Sequence, residues 1–360
     1  MKKIIFSLFL VIGSLSLLVA QDLKPGFEKE EYVELLKVMA QTNKSKHLPS
    51  SFLPENFRRI YTSPVLGLDN QWVLWLDDHQ HAVIAIRGTI ESSVSWMANL
   101  YAAMVPAKGK LTLTHDYVFD YELASHPQAA VHVGWLVATG FLAPDIVNHI
   151  DSCYKSGIKD FYIAGHSQGG AISFLVTSYL RNLQETGKLP QDIRFKTYCS
   201  AGPKPGNLYY AYAYELQTQD GWAYNVVNID DCVPMLPFTV QTSDDFLENS
   251  PLYSTASLIK EQKIPHKVIL SYIYKKLDES SRKALSNYQK FLGDKMGEVI
   301  KRHLCEYNLP EYYPSNNYVK AGNYYILSGD EEYYKQFSLH SQQSHIEHHS
   351  PAAYYYLLTR

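Results

Sequence analysis

The chain has 360 residues, 33 Lys and Arg against 36 Asp and Glu for a formal charge of −3, and a composition that is 46% hydrophobic and 13% aromatic. That much apolar surface excludes a disordered or collagen-like polymer, because burial can offset the entropy lost on folding. The near-neutral balance lacks the basic excess with which nucleic-acid binders displace phosphate counterions, so no nucleic-acid partner is expected.

Residues 1–20 stand apart. Lys2 and Lys3 precede an unbroken apolar run from Ile4 to Leu18, followed by Val19, Ala20 and Gln21. About 15 apolar residues fall short of the roughly 20 that a spanning helix needs. The segment reads as an export signal, with a cleavage point blurred by bulky Leu18 and no following Cys for lipid attachment. The expected product is exported, to a periplasm or the medium, with 31 basic and 36 acidic side chains for a charge of −5.

Residues 27–43 place Tyr32, Leu35, Leu36 and Met39 at helical spacing. Two β-rich runs follow, Trp72–Leu76 and Ala82–Ile86, with the turn-like Asp77-Asp78-His79-Gln80 between them. From there to about 230 strands alternate with helices, the order that builds a mostly parallel sheet covered on both faces. Strands are expected at Phe161–Ala164, Phe195–Cys199 and Val226–Ile229. Residues 240–316 break the alternation. Leu285, Tyr288, Leu292, Val299 and Ile300 form a helical stripe over 282–304, with Asp278 or Ser280 as its cap. A strand-like run at Tyr318–Leu327 and a helix with three consecutive tyrosines close the chain. Cys153, Cys199, Cys232 and Cys305 show no zinc spacing, and leave either one or two disulfides or four buried thiols.

The chemistry concentrates at 161–180, FYIAGHSQGGAISFLVTSYL. An apolar run enters Gly165-His166-Ser167-Gln168-Gly169 and an alanine-led helix leaves it. A nucleophile elbow demands this, since small neighbours let the strained turn present its serine at a helix N-terminus. The strand-turn-helix setting singles out Ser167 as nucleophile. A serine hydroxyl needs a base to take its proton and a carboxylate to orient that base, in the order Ser, acid, His on this kind of sheet. Asp230 and Asp231 follow a strand end, and the tail offers His340, His345, His348 and His349. The residues alone do not choose among them.

The sequence resembles the class 3 lipases, a branch of the α/β-hydrolases. The resemblance runs in order through AVIAIRGT (82–89), the tryptophan and asparagine of SWMANL (95–100), VHVGW (131–135), AGHSQGGA (164–171), GPKPGN (202–207), DCVPMLP (231–237) and HSPAAY (349–354). It implies an α/β-hydrolase fold, with a mostly parallel sheet flanked by helices, in residues 21–239 and 317–360. The helical insertion 240–316 then falls between the acid and the histidine. The Val-Pro pair selects Asp231, and the tyrosine opening the last helix selects His349. The oxyanion hole falls to Thr89 and the backbone N–H of Gln168. Gln168 stands where many members have Leu, and Cys199 and Ala201 alter the small-residue run before GPKPGN.

The resemblance also implies a lid over residues 90–104, with Trp96, Met97 and Leu100 toward substrate; a packed surface helix is the alternative for this stretch. His132 is expected to be structural, since it precedes the elbow and breaks the Ser-acid-His order, and Arg87 to make an ion pair or hydrogen bonds beneath the oxyanion loop. The insertion is expected to leave and rejoin at the carboxyl edge of the sheet and to cap the crevice there, with burial of its stripe against the core domain as the alternative. The expected activity is hydrolysis of a lipid carboxylic ester, with transient contact with a lipid interface, no stable protein partner and no metal or organic cofactor. A feruloyl or acetyl esterase, or a non-catalytic hydrolase fold that only binds, are the alternatives.

Overall fold

The computed structural model describes residues 22–43, 52–247, 250, 253, 255–338 and 346–360. The expected export signal, and His340 and His345, lie outside the described residues.

The elements run α1 (Lys29–Thr42), β1 (Arg58–Thr62), β2 (Trp72–Leu76), β3 (His81–Ile86), α2 (Ser93–Leu100), β4 (Met104–Pro106), β5 (Lys108–Thr114), β6 (Tyr117–Glu122) and β7 (Ala130–His132). They continue with α3 (Val133–Lys155), β8 (Asp160–His166), α4 (Gln168–Glu185), β9 (Arg194–Ser200), α5 (Leu208–Gln217) and β10 (Ala223–Asn228). The last part holds α6 (Thr255–Lys260), α7 (His266–Tyr288), a π-helical stretch Gln289–Lys295, α8 (Met296–His303), β11 (Asn323–Leu327), α9 (Glu331–Gln336) and α10 (Pro351–Thr359).

Seven strands form one sheet in the order β1-β2-β3-β8-β9-β10-β11. The β1–β2 and β2–β3 pairs are antiparallel, and every pair from β3 to β11 is parallel. The central strands are buried on both faces, so their sequences read as continuous apolar runs rather than alternating ones. Alternate residues nevertheless serve different cores. Ala82, Ile84, Ile86, Phe161 and Ile163 pack with α3 and α4, whereas Val83, Ala85, Tyr162, Ala164 and Tyr198 pack with α1 and α10. The sheet is thus sandwiched between helices, with strand carboxyl ends of β8 and β10 leading into Ser167 and Asp231.

Three expectations change. Helix α7 starts at His266, not near 282, because the chain has no helix breaker between Pro265 and the stripe. Asp278 and Ser280 therefore sit inside a helix and cap nothing: Asp278 pairs with Arg282 at 2.6 Å, and the Ser280 hydroxyl donates to the Lys276 carbonyl. The run from Tyr318 is a strand only from Asn323, after Gly322 turns through φ +80°. All four cysteines are free thiols, Cys153 and Cys199 buried, Cys232 and Cys305 exposed.

The insertion has two parts of different character. Leu285 and Ile300 are buried, Tyr288, Leu292 and Val299 half-buried, and α8 lies against α2. Ile300 and Tyr307 belong to the main core, and the Tyr101 hydroxyl bonds those of Tyr307 and Tyr312 at 3.4 and 3.0 Å. The half from α6 to the middle of α7 is mostly exposed.

Candidate active site

Ser167 sits between β8 and α4 with φ 63° and ψ −129°, a left-handed conformation that costs a side-chain-bearing residue strain. The glycines around it explain how the turn closes. A Cβ on Gly165 would lie 2.2 Å from the carbonyl of Gly169, and one on Gly169 would lie 2.3 Å from the carbonyl of Ile86. The Ser167 N–H donates to the Ser200 carbonyl at 2.9 Å, tying the elbow to β9.

Across the site, Asp231 Oδ2 accepts from His349 Nδ1 at 2.7 Å and from the Tyr354 hydroxyl at 2.7 Å, while Oδ1 accepts from the Val233 N–H at 2.9 Å. The Asp231 side chain is fully buried and that of His349 is 12% exposed. Three donors satisfy a buried carboxylate that would otherwise be costly to keep charged. Because His349 Nδ1 carries its proton toward Asp231, its Nε2 is left as the acceptor.

The neighbouring candidates face elsewhere. His348 Nδ1 meets the Tyr333 hydroxyl at 2.6 Å, and its Nε2 is buried with no hydrogen-bond partner among the described residues. Asp230 accepts from the Tyr334 hydroxyl at 2.9 Å.

Thr89 and Gln168 are linked through one side chain. Asn99 Nδ2 donates to Thr89 Oγ1 at 2.9 Å, and Asn99 Oδ1 accepts from Gln168 Nε2 at 3.0 Å and Trp135 Nε1 at 3.0 Å. With its oxygen accepting from Asn99, the Thr89 hydroxyl proton is free to point elsewhere. The preceding Gly88 N–H is held by Asn43 Oδ1 at 2.6 Å. Gln168 starts α4, so its backbone N–H is among those a helix leaves without an internal partner.

Helix α2, the expected lid, is a packed helix whose inner side is tethered by Gln168 Nε2 to the Ser95 carbonyl at 3.0 Å. Trp96 and Leu100 are exposed, and Met97 is half-buried.

Residues 83–241 match the family model of the class 3 lipases. Within the curated proteins the chain is similar to the secreted mono- and diacylglycerol lipase 1 of Fusarium solani, at 31% identity over 128 residues. That alignment covers 34% of this chain and 35% of the relative, so the chain matches about a third of the relative's length. Among solved structures it is similar to the Rhizomucor miehei lipase propeptide complex, at 21% identity and TM-score 0.44, covering 59% of this chain and 65% of that one. It is also similar to lipase II from Rhizopus niveus, at 20% identity and TM-score 0.44, covering 58% and 74% of the two chains. The mostly parallel sheet flanked by helices, with a strand-turn-helix elbow after β8, is the arrangement of the α/β-hydrolases. The class 3 lipase segment contains Thr89, Ser167, Gln168 and Asp231, whereas His349 and most of the insertion lie beyond it.

His132 and Arg87, both within the segment that matches the class 3 lipases, are structural. His132 Nδ1 accepts from the Trp135 N–H at 3.3 Å, Nε2 donates to the Asn99 carbonyl at 3.2 Å, and the ring stacks on Trp135 at 3.7 Å. Burial pushes its pKa down to about 3, so it stays neutral. Arg87 makes hydrogen bonds, and no ion pair among the described residues, to Gln71 Oε1 at 2.7 Å and the Asp69 carbonyl at 2.6 Å, and burial lowers its pKa.

His166, named in the sequence only as part of the elbow, is the residue whose contacts sequence reasoning missed. Its Nε2 donates to the His349 carbonyl at 2.7 Å, and Nδ1 bonds Ser200 Oγ at 2.9 Å, which in turn meets the Tyr32 hydroxyl at 2.6 Å. Burial, and secondarily the nearby His349, hold its pKa down to about 3. Tyr354 was legible only as a spacing marker. The sequence carries no local signal for either role, since each partner is more than 100 residues away.

Proposed function

We propose that the protein is an exported lipase that hydrolyses carboxylic esters of lipids through Ser167, His349 and Asp231. The observation that carries the reading is the 2.7 Å contact of a buried carboxylate with His349 Nδ1, on the same sheet edge as a left-handed serine at a nucleophile elbow. In this reading Ser167 Oγ attacks the ester carbonyl carbon as His349 Nε2 takes the hydroxyl proton. Asp231 keeps the imidazole in the accepting tautomer and stabilises its charged form. The Thr89 hydroxyl and the Gln168 N–H donate to the oxygen that becomes negative, worth roughly 3 kcal/mol per donor in comparable sites. Collapse of the tetrahedral intermediate expels the alcohol, which receives the proton from His349. Water then repeats the sequence on the acyl-enzyme and releases the acid. His166 and Tyr354 act through their neighbours, one holding the His349 backbone and the other the Asp231 carboxylate.

A lipid ester is the favoured substrate class because of the class 3 lipase segment and the secreted acylglycerol lipase it resembles. Export rests on the basic-then-apolar residues 2–20 and on the same relative; no described helix is long and apolar enough to cross a membrane. The test is turnover of mono-, di- and triacylglycerol and a short p-nitrophenyl ester by the purified protein. Wild type is expected to turn over the acylglycerols and the short ester, with Ser167→Ala inert on all of them. Equal inertness of both proteins across the panel contradicts the reading.

A further inference from the structure

The exposed half of the insertion is chemically unlike the rest of the surface. Ile264, Val268, Ile269, Tyr272, Ile273 and Leu277 each leave at least 48% of their surface to solvent. Between α6 and α7 lies a cleft of about 360 Å³ walled largely by aliphatic side chains, with Leu258 and Ile259 on one side and Leu270, Ile273 and Leu277 on the other. Monomeric soluble proteins rarely leave so many large apolar side chains together in water.

Charge distinguishes what could cover them. Residues 255–277 carry Lys260, Lys263, Lys267, Lys275 and Lys276 against Glu261 alone, a local charge of +4 in a chain whose total is −3. The lysines are interleaved with the apolar residues, and Lys276 Nζ lies 5.8 Å from the Tyr272 ring. Long lysine stems can lie along apolar surface while their ammonium groups reach outward. A helix combining aliphatic and aromatic residues with clustered lysines has the composition of an element lying in the headgroup layer of an anionic membrane.

The arm is also held firmly at its base. Arg282 pairs with Asp244 at 2.6 and 2.8 Å and with Asp278 at 2.6 Å, and the Tyr274 hydroxyl meets Ser243 Oγ at 3.0 Å. The anchoring residues Ser243 and Asp244 belong to the segment that follows Asp231, and that segment itself exposes Met235 and Phe238 at 68% and 69%. We propose that the α6–α7 arm is a docking surface for a lipid bilayer bearing anionic headgroups, the apolar residues entering the acyl boundary and the lysines contacting the charged headgroups. The proposal deepens the lipase reading by naming the surface that brings this enzyme to its substrate phase.

The experiment reads binding without catalysis. Full-length mature protein is floated with vesicles of ether-linked phosphatidylcholine alone, or mixed with ether-linked phosphatidylglycerol, whose chains no esterase can remove. Wild type is expected on the anionic vesicles and released by added salt, with much weaker binding to phosphatidylcholine. Replacing Lys260, Lys263, Lys267 and Lys276 by Gln should weaken binding by nearly three orders of magnitude, at about fivefold per lysine. Ile269→Glu with Ile273→Glu should abolish it independently. Both variants should keep wild-type turnover of a short soluble ester, so loss of that turnover in all proteins counts against the lipase reading and leaves the docking result intact. The proposal is overturned by absent binding to anionic vesicles, by binding that neither variant weakens, or by sedimentation showing a dimer that Ile269→Glu with Ile273→Glu dissolves.

Discussion

Replacing Asp231 with Asn isolates the orienting role of one oxygen atom. The substitution keeps the volume and removes the charge from a side chain that accepts three hydrogen bonds. If the amide oxygen stays on the Val233 N–H, its NH2 group faces His349 Nδ1 and the Tyr354 hydroxyl, where Oδ2 accepted before. His349 Nδ1 must then accept instead of donate, which moves the ring proton to Nε2 and removes the atom proposed to take the Ser167 proton. A comparable substitution at an Asp-His pair lowers kcat by about 10⁴, equivalent to roughly 5.5 kcal/mol of transition-state stabilisation. The assay is steady-state turnover of a short, water-soluble p-nitrophenyl ester at pH 8, so that interface binding does not enter. Asp230→Asn supplies the comparison, because Asp230 meets Tyr334 and its own loop and should retain most of the rate. Asp231→Asn within tenfold of wild type, or a larger loss in Asp230→Asn, refutes the reasoning.

The neighbouring histidines give a matched pair: His349→Ala should lose activity to the level of Ser167→Ala, and His348→Gln should retain it, with the reverse ranking placing the base one residue away. Gly165→Ala should lower the unfolding free energy by roughly 3 kcal/mol or prevent folding, since its Cβ would overlap backbone at 2.2 Å, whereas Gly187→Ala, which meets nothing within 4 Å but has φ +71°, should cost only about 1 kcal/mol in a urea titration. Stability should also fall on acidification. His132 and His166 are held down to about 3 from an ordinary 6.5, so between those values the unfolded chain binds protons that the fold refuses. The loss approaches about 1.4 kcal/mol per pH unit for each histidine, present above pH 6.5 as full stability and eroded below it. Urea midpoints at pH 7, 6 and 5 should decline, and His132→Asn should flatten that decline; a midpoint that rises toward pH 5 contradicts the assignment.

The sheet was legible because its central strands are buried twice over, which writes them as short apolar runs between turn signals. Their ends were less legible: β8 extends to Asp160 and His166, polar residues that join the ladder because the neighbouring strands continue there. The start of α7 is marked too, by Val268, Ile269, Tyr272, Ile273 and Leu277 at helical spacing, but that stripe is exposed and separate from the packed one that begins at Leu285. Ser167 could be read from local requirements of the turn alone. Asp231 and His349 needed the family order, since adjacent Asp230 and His348 have identical chemistry and differ only in which way the folded chain points them. The supporting network was not legible at all. Tyr32 and Ser200 are 168 residues apart, and nothing in either local sequence announces a 2.6 Å contact. The role of Gln168 likewise depends on where α2 docks, which is a tertiary fact.

The most direct measurement of the central claim is covalent capture of the nucleophile. A fluorophosphonate probe mimics the ester carbonyl and leaves phosphorus bonded to an activated serine oxygen, so the modified peptide can be located by mass spectrometry. The account predicts one probe per chain on Ser167, and labelling slowed by orders of magnitude in Asp231→Asn and His349→Ala although Ser167 is present in both. Labelling of another serine, or labelling of Ser167 at an unchanged rate in those two variants, contradicts it.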